Sequence, residues 1–256
     1  MLGAIAGDII GSVYEYHPLQ TKSFPLFCEA SRFTDDTVLT IAVASAILNS
    51  EDYGASIATF AARHPHVGYG GFFLRWLQSP SKAPYNSWGN GSAMRVSPVG
   101  FAFDSVDEVL HEARKSAEVT HDHPEGIKGA QATALAVYLA RSGISKREIK
   151  AEIHERFAYD LNRKLDEIRP TYSFDVSCQG TVPEAIIAFL ESKSFENAIR
   201  NAVSLGGDSD TLACIAGVIA HAFYKEIPCE IETAVRARLP MEFIQVLDQF
   251  QLTFNL

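Results

Sequence analysis

Residues 34–48 read TDDTVLTIAVASAIL, and residues 208–224 read DSDTLACIAGVIAHAFY. Each stretch opens with two carboxylates and continues as an apolar run without the alternation of a strand. This pattern predicts a helix that is buried on nearly every side. Two such helices predict an all-α fold with both of them at its centre.

The acidic openings of these helices are the first candidate functional feature. Adjacent carboxylates repel one another and resist burial, so four of them at the mouths of buried helices call for a neutralising cation. Carboxylates combined with threonine hydroxyls suit Mg²⁺ or Mn²⁺ better than zinc. Alternatively, Thr34 or Asp35, and Asp208 or Ser209, are ordinary helix N-caps. The matched Asp-Thr pairs of the two openings favour a metal site.

The rest of the chain is predominantly helical. The predicted helices cover residues 35–49, 53–64, 71–78, 105–119, 124–141, 145–158, 183–192, 195–204, 210–224 and 230–251. Pro98 should start or kink a helix within residues 93–103, and Pro240 should interrupt the last helix. Residues 172–177 are the only weak strand candidate. Because no repeat or linker divides the chain, we expect a single compact helical domain over residues 1–256.

Composition excludes several classes of protein. The chain has 31 acidic and 22 basic residues, a net charge of −9, which disfavours sequence-independent nucleic-acid binding and attachment to an anionic membrane. The longest apolar run contains His221 and is too short to span a bilayer, and the start lacks the basic region of a signal peptide. The four cysteines show no metal-ligand spacing and fit a reduced, cytoplasmic compartment.

Near the start of the chain, Gly3, Gly7 and Gly11 stand at helical spacing ahead of Glu15. In one interpretation the glycines form a small-residue face that packs closely against a neighbour, with Asp8 and Glu15 in solvent. In the other, Glu15 reaches the metal site as a ligand or general base. The residues alone leave both interpretations open.

Two further segments are candidates for ligand binding. The turn Gly89-Asn90-Gly91-Ser92 precedes an apolar helix and exposes backbone N–H groups that favour an anion such as phosphate, although a plain turn capped by Asn90 is the alternative. The run Thr120-His121-Asp122-His123-Pro124 joins two predicted helices. Zinc binding lacks a supporting ligand there, which leaves a capping loop or ligand contact by His121.

In this order, these segments resemble the ADP-ribosylglycohydrolase family, which includes the enzyme that reactivates ADP-ribosylated dinitrogenase reductase. The matching pieces are Gly7-Asp8-x-x-Gly11 with Glu15, Phe33-Thr34-Asp35-Asp36-Thr37, Gly89-Asn90-Gly91-Ser92-Ala93-Met94-Arg95, Thr120-His121, Ser177-Cys178-x-x-Thr181-Val182-Pro183-Glu184-Ala185 and Gly206-Gly207-Asp208-Ser209-Asp210-Thr211. Ser209 replaces the more usual threonine. The chain is short for this family, so the resemblance implies shortened loops around the leaving group.

The resemblance implies an all-α enzyme that holds two Mg²⁺ or Mn²⁺ ions at the ends of its central helices. The metal ligands would be Thr34, Asp35, Asp36, Asp208, Asp210 and Thr211, with Asp210 as a bridging ligand. The catalytic residues would be Glu15, Asp35 and Asp36. The residues in contact with substrate would be Gly89, Asn90, Gly91, Ser92 and His121.

The expected reaction is hydrolysis of the glycosidic bond between ADP-ribose and an acceptor, by direct attack of water. The partner would be an ADP-ribosylated protein or a small ADP-ribosyl conjugate. A non-catalytic ADP-ribose-binding or structural protein on the same fold is one alternative. A dinuclear hydrolase of another nucleotide derivative is a second.

Overall fold

In a computed structural model that describes residues 1–256, the chain forms fifteen helices and no β-strand. In chain order the helices are α1 (Leu2–Gly11), α2 (Asp35–Asn49), α3 (Tyr53–Arg63), α4 (Gly71–Gln78), α5 (Gly91–Met94), α6 (Ser97–Ala102), α7 (Val106–Glu118), α8 (Pro124–Arg141), α9 (Lys146–Phe157), α10 (Leu165–Ile168), α11 (Cys178–Leu190), α12 (Phe195–Val203), α13 (Ser209–Tyr224), α14 (Cys229–Arg236) and α15 (Met241–Phe254). The all-α prediction is therefore confirmed.

The two helices with acidic openings lie at the centre of the fold. α13 packs against α1, α8, α11 and α12, while α2 packs against α1, α3, α6 and α15. Residues 36–46 of α2 and residues 209–220 of α13 are buried without interruption. The buried apolar side chains from Met1 to Phe250 form one contiguous core, and none of the helices is both long and apolar enough to cross a membrane.

α1 and α13 approach each other backbone to backbone. A Cβ at Gly7 would lie 2.0 Å from the carbonyl oxygen of Ala213, and a Cβ at Gly11 would lie 2.4 Å from that of Ser209. The close-packing interpretation of these glycines is therefore confirmed. The accompanying expectation that Asp8 lies in solvent is wrong, because its side chain is fully buried.

The start of α11 differs from the expected one because of local hydrogen bonding. α11 begins at Cys178, five residues before the predicted start, because the Ser177 side chain accepts a hydrogen bond from the Gly180 amide. Pro183 lies inside α11, and the exposed Gln179 is the residue whose carbonyl loses its helical donor. The predicted break at Pro240 is confirmed, since α14 and α15 flank it.

The weak strand candidate at residues 172–177 forms only a single antiparallel bridge, between Ser177 and Gly89. The backbone amide of Asn90 donates to the Val176 carbonyl at 2.7 Å, and the backbone amide of Cys178 donates to the Trp88 carbonyl at 2.9 Å. These hydrogen bonds hold residues 89–92, the glycine-containing turn, against the start of α11.

We expect Gly7→Ala to destabilise the protein by about 3 kcal/mol or more, because the new methyl group would force two helix backbones apart. Urea unfolding measures the change. The matched control is Gly70→Ala, since a Cβ at Gly70 meets nothing within 4 Å and the backbone there has φ −61°. Equal stability of both variants would contradict the α1–α13 contact.

Candidate metal and substrate site

The starts of α2 and α13 open into one cavity of about 350 Å³. Its lining includes eleven of the residues singled out in the sequence: Glu15, Thr34, Asp35, Asp36, Gly89, Asn90, Gly91, His121, Asp208, Asp210 and Thr211. Ser92 is the exception, because it is fully buried behind the turn. Its hydroxyl donates to the Gly126 carbonyl at 2.7 Å.

Asp8 of α1 fixes the start of α2. Its carboxylate accepts hydrogen bonds from the Thr34 amide at 3.0 Å, the Thr34 hydroxyl at 2.7 Å and the Thr37 amide at 3.1 Å. The Thr37 hydroxyl donates a fourth. Thr34 is also the N-cap of α2, because its hydroxyl oxygen accepts from the Asp36 amide. Thr34 is therefore both the N-cap of α2 and part of the cavity lining.

The two acidic openings meet through a threonine hydroxyl. Thr211 Oγ1 donates to Asp36 Oδ1 at 3.4 Å, while the Thr211 amide donates to Asp210 Oδ1 at 2.9 Å. Asp208 occupies the N-cap position of α13 without capping it, because its Oδ2 instead accepts from Asn90 Nδ2 at 2.7 Å. Asp36 Oδ2 is buried and has no hydrogen-bond donor.

Burial and mutual repulsion disfavour the charged forms of these acids. Burial, followed by repulsion from Asp8, raises the pKa of Asp35 to about 8. The pKa of Asp36 is raised well above its usual value by burial and by repulsion from Asp8 and Asp35. Burial and repulsion from Asp208 and Asp36 raise that of Asp210 in the same way. No lysine, arginine or histidine nitrogen lies within 4.0 Å of these carboxylates.

These residues fit a hard divalent cation by their chemistry. They offer only carboxylate and hydroxyl oxygens, which Mg²⁺ and Mn²⁺ prefer. The buried Asp36 Oδ2 has no donor, and a cation would satisfy it. No three acidic, histidine or cysteine side chains converge into a ready-made cage. The fit to a cation therefore depends on the carboxylate and hydroxyl oxygens that these residues offer and on Asp36 Oδ2, which has no hydrogen-bond donor.

Glu15 reaches the cavity from the segment that follows α1. Its side chain is partly buried, and the interpretation in which it lies in solvent is not what the structure shows. Burial, followed by repulsion from Asp208, raises the pKa of Glu15. A carboxylate with a raised pKa holds a proton more readily than an ordinary glutamate, which is a property of groups that transfer protons in active sites.

The glycine-containing turn forms the wall that faces His121. The amides of Gly91 and Ser92 lie in the first turn of α5, where a helix has no preceding carbonyl to accept from them. A Cβ at Gly91 would lie 3.2 Å from His121 Nε2. The Asn90 side chain is already engaged, since its amide nitrogen donates to both Thr181 and Asp208.

Sequence reasoning missed several contributors to this site. Asp8 was not expected at this site. It lies between Gly7 and Gly11, and the close packing of those glycines was a signal that Asp8 is buried as well. The aromatic side chains of Phe72, Tyr85 and Phe174 also line the cavity. They come from segments whose composition gave no functional signal, so only the fold brings them there.

The pH dependence of stability tests the electrostatics of the site. With a chelator present, the free energy of unfolding should rise as the pH falls from about 8 towards 6. In the folded state the pKa of Asp35 is about 8, above the value of 3.8 for an ordinary aspartate. The folded protein therefore binds more protons than the unfolded chain in this interval, at most about 1.4 kcal/mol per pH unit for one group.

Urea unfolding at a series of pH values measures this slope. Asp35→Asn should flatten it, and so should saturating Mg²⁺, whereas Asp107→Asn, at an exposed aspartate, should not. A wild-type slope of the opposite sign, or one that Asp35→Asn leaves unchanged, would contradict this description of the cluster.

Comparison with known proteins finds related enzymes. The family described as ADP-ribosylglycohydrolase matches residues 1–251. ADP-ribosylhydrolase ARH3 of Mus musculus is 30% identical over a 305-residue alignment that covers 88% of this chain and 82% of that protein. Because this alignment is longer than the chain itself, the relative carries insertions. ADP-ribosylarginine hydrolase Tri1 of Pseudomonas putida (strain GB-1) is 26% identical, with 88% and 69% covered.

The fold agrees as well. A solved structure named ADP-ribosylglycohydrolase-related protein complex superposes with a TM-score of 0.77 at 25% identity, covering 97% of this chain and 94% of that one. The profile match and the structural similarity both extend over nearly the whole chain. The protein therefore belongs to the ADP-ribosylglycohydrolase family of enzymes.

Proposed function

We propose that this protein is a metal-dependent hydrolase that cleaves the glycosidic bond between ADP-ribose and an acceptor. The observation that carries the proposal is the single cavity in which two acidic helix starts face a glycine-containing turn and a histidine. Membership of the family supplies the ADP-ribosyl group as the expected substrate. The cavity volume of about 350 Å³ is within the range of small-molecule sites.

At the acidic wall, the residues would hold two Mg²⁺ or Mn²⁺ ions. The proposed ligands are Thr34, Asp35, Asp36, Asp208, Asp210 and Thr211. When bound, such ions supply positive charge at the substrate hydroxyls and lower the pKa of a bound water. Asp35 and Asp36 are also proposed as catalytic residues. As ligands they would position the positive charge that orients the reacting ribose.

Glu15 is the proposed proton acceptor. Its carboxylate faces the cavity beside Asp208, and its pKa is raised by burial and by that neighbour. Glu15 would take a proton from the attacking water as the water approaches the anomeric carbon, which carries oxocarbenium character in glycosidic cleavage. No cysteine lines the cavity, and the hydroxyl of Ser87, the serine in the lining, accepts from the Gly89 amide and is not hydrogen-bonded to a base, which favours direct attack by water.

The opposite wall would bind the diphosphate of ADP-ribose. The Gly91 and Ser92 amides and His121 provide hydrogen-bond donors there, and Ser92 can take part only through its backbone because its hydroxyl is used. Asn90 would act on the other wall instead, since its amide orients Asp208. The turn thus links the diphosphate site to the acidic cluster.

Release of free ADP-ribose tests the function. The protein should release ADP-ribose from at least one of three substrates assayed side by side, namely arginine-linked, serine-linked and nucleic-acid-linked ADP-ribose. Release should stop with a chelator and resume with added Mg²⁺ or Mn²⁺. Binding of ADP-ribose without release from any of them would favour a binding protein, and hydrolysis of other nucleotides alone would favour the second alternative.

Asp210→Asn tests the proposed metal ligands separately from the release assay. Repulsion from both Asp208 and Asp36 raises the pKa of Asp210, so this carboxylate is close to the acids of both helix starts, and its loss should weaken binding of Mg²⁺ more than the loss of any other single carboxylate. Isothermal titration with Mg²⁺ measures this difference. Unchanged metal affinity in Asp210→Asn would contradict its place in the ligand set.

We expect Glu15→Gln to lower the turnover rate by about 100-fold, because the substitution keeps the size of the side chain and removes the basic carboxylate. The melting temperature should change little, since the side chain is only partly buried and lies outside the helices. Glu155→Gln, at an exposed position of α9, is the matched control. Turnover of Glu15→Gln equal to that of the control would remove Glu15 from the mechanism.

Gly91→Ala should weaken ADP-ribose binding and leave Mg²⁺ binding intact. The added methyl group would press on His121 Nε2, at 3.2 Å, and on His121 Cε1, at 3.3 Å, without touching a proposed metal ligand. The turn has an ordinary φ at Gly91, so backbone strain does not contribute. Titration with each ligand separately checks the difference, and equal loss of both affinities would contradict a diphosphate site at this turn.

A further inference from the structure

Arg95 is a buried cation that the proposed reaction does not use. It is the largest fully buried side chain of the protein, and it lines the cavity behind the glycine-containing turn. Its Nη2 donates to the Ser116 carbonyl at 2.8 Å and to Thr120 Oγ1 at 2.9 Å, whereas Nε and Nη1 have no partner. A buried guanidinium without a carboxylate is costly, so its position calls for an explanation.

The hydroxyl of Thr120 connects this cation to His121. Thr120 Oγ1 accepts from Arg95 and lies 2.7 Å from His121 Nδ1. Thr120 is fully buried, and His121 Nδ1, at 2.7 Å, is the acceptor nearest to its hydroxyl, with the side chain of Tyr85 also close to Thr120. Because Thr120 Oγ1 already accepts from Arg95, its own proton is available for Nδ1, and donation in this direction is what we assign to the contact.

This hydrogen bond determines which nitrogen of His121 carries the proton. A neutral imidazole that accepts at Nδ1 has its own hydrogen on Nε2. Nε2 faces the turn, 3.2 Å from the position of a Cβ at Gly91 and 3.5 Å from that of a Cβ at Gly89. The Nε2–H group therefore points towards the turn, in the cavity that Gly89, Gly91 and His121 line together.

We propose that Arg95 and Thr120 are positioning residues that hold His121 as the Nε2-protonated neutral imidazole, a fixed hydrogen-bond donor to an anionic oxygen of the ligand. The ligand part of this inference rests on the proposed function, which places a diphosphate at the turn. The relay from Arg95 through Thr120 to His121 stands on geometry alone.

The charge of Arg95 has a second effect on the same ring. Burial, followed by repulsion from Arg95, lowers the pKa of His121 well below its usual value. The only other titratable side chain against the ring is Tyr85, whose ring centroid lies 5.9 Å away. His121 is therefore neutral at physiological pH and donates through one nitrogen only.

The test compares wild type with Thr120→Val, Thr120→Ser and Arg95→Met. Long-range ¹H–¹⁵N NMR of histidine-labelled protein identifies the tautomer of His121, and calorimetric titration measures ADP-ribose affinity without metal. Wild type and Thr120→Ser should show the Nε2–H form. Thr120→Val and Arg95→Met should show mixed tautomers and bind ADP-ribose about tenfold more weakly, the effect of one misdirected hydrogen bond to a charged group.

Thr133→Val is the matched control, because Thr133 is also a fully buried threonine but its hydroxyl has no partner. It should keep the wild-type tautomer and affinity. If Arg95→Met does not fold, the isosteric Thr120→Val still decides the question. An Nδ1–H form in the wild type, or a Thr120→Val protein with the wild-type tautomer and affinity, would overturn the relay. Absence of ADP-ribose binding by wild type would overturn the proposed ligand, and the tautomer would still decide the relay.

Discussion

The backbone contact between α1 and α13 is the constraint on which the rest of the site depends. Glycines on α1 allow this helix to lie against α13 at a distance that no side chain would permit. The contact carries Asp8 into the interior, where it accepts four hydrogen bonds from Thr34 and Thr37. Because Asp8 belongs to α1 and its donors belong to the start of α2, the same contact sets the distance between the two acidic helix starts.

The fold brings the carboxylates of the acidic cluster close together although they repel one another. The N-terminal ends of α2 and α13 favour nearby negative charge, but the raised pKa values of Asp35, Asp36 and Asp210 show that burial and repulsion prevail. Without a cation this arrangement costs stability that the large apolar core has to offset. Strain of this kind is common where a fold maintains a site for a charged ligand.

The two walls of the cavity differ in the charge of the groups that they present. One wall presents the carboxylates of Asp36, Asp208 and Asp210, and Asp36 Oδ2 has no donor. The other wall is formed by the glycine-containing turn and His121, with the buried Arg95 behind them. Asn90 joins the walls, since it belongs to the turn and donates to Asp208. A ligand with a cation-binding sugar at one end and an anionic linkage at the other matches such a division.

An aromatic face leads from this second wall to the surface. The rings of Phe72 and Tyr85 stack at 6.1 Å with an angle of 15° between their planes, and Tyr85 in turn contacts the His121 ring. The guanidinium of Arg75 covers the exposed Phe72 ring at 4.3 Å. These contacts continue the packing of aromatic side chains from the His121 ring to the exposed Phe72.

The sequence by itself determined the helical class and the central place of α2 and α13, because both depend on the local pattern of apolar runs. Its motifs, through their resemblance to a known family, also indicated eleven of the residues that line the cavity, but not Phe72, Tyr85 or Phe174. It did not determine that Asp8 is buried or that Asn90 turns towards Asp208. Nor did it show that Ser92 points away from the cavity, or that Arg95 reaches His121 through Thr120. These depend on contacts between residues far apart in the chain, and only the packing of α1, α5, α7 and α13 around one core brings those partners within hydrogen-bonding distance.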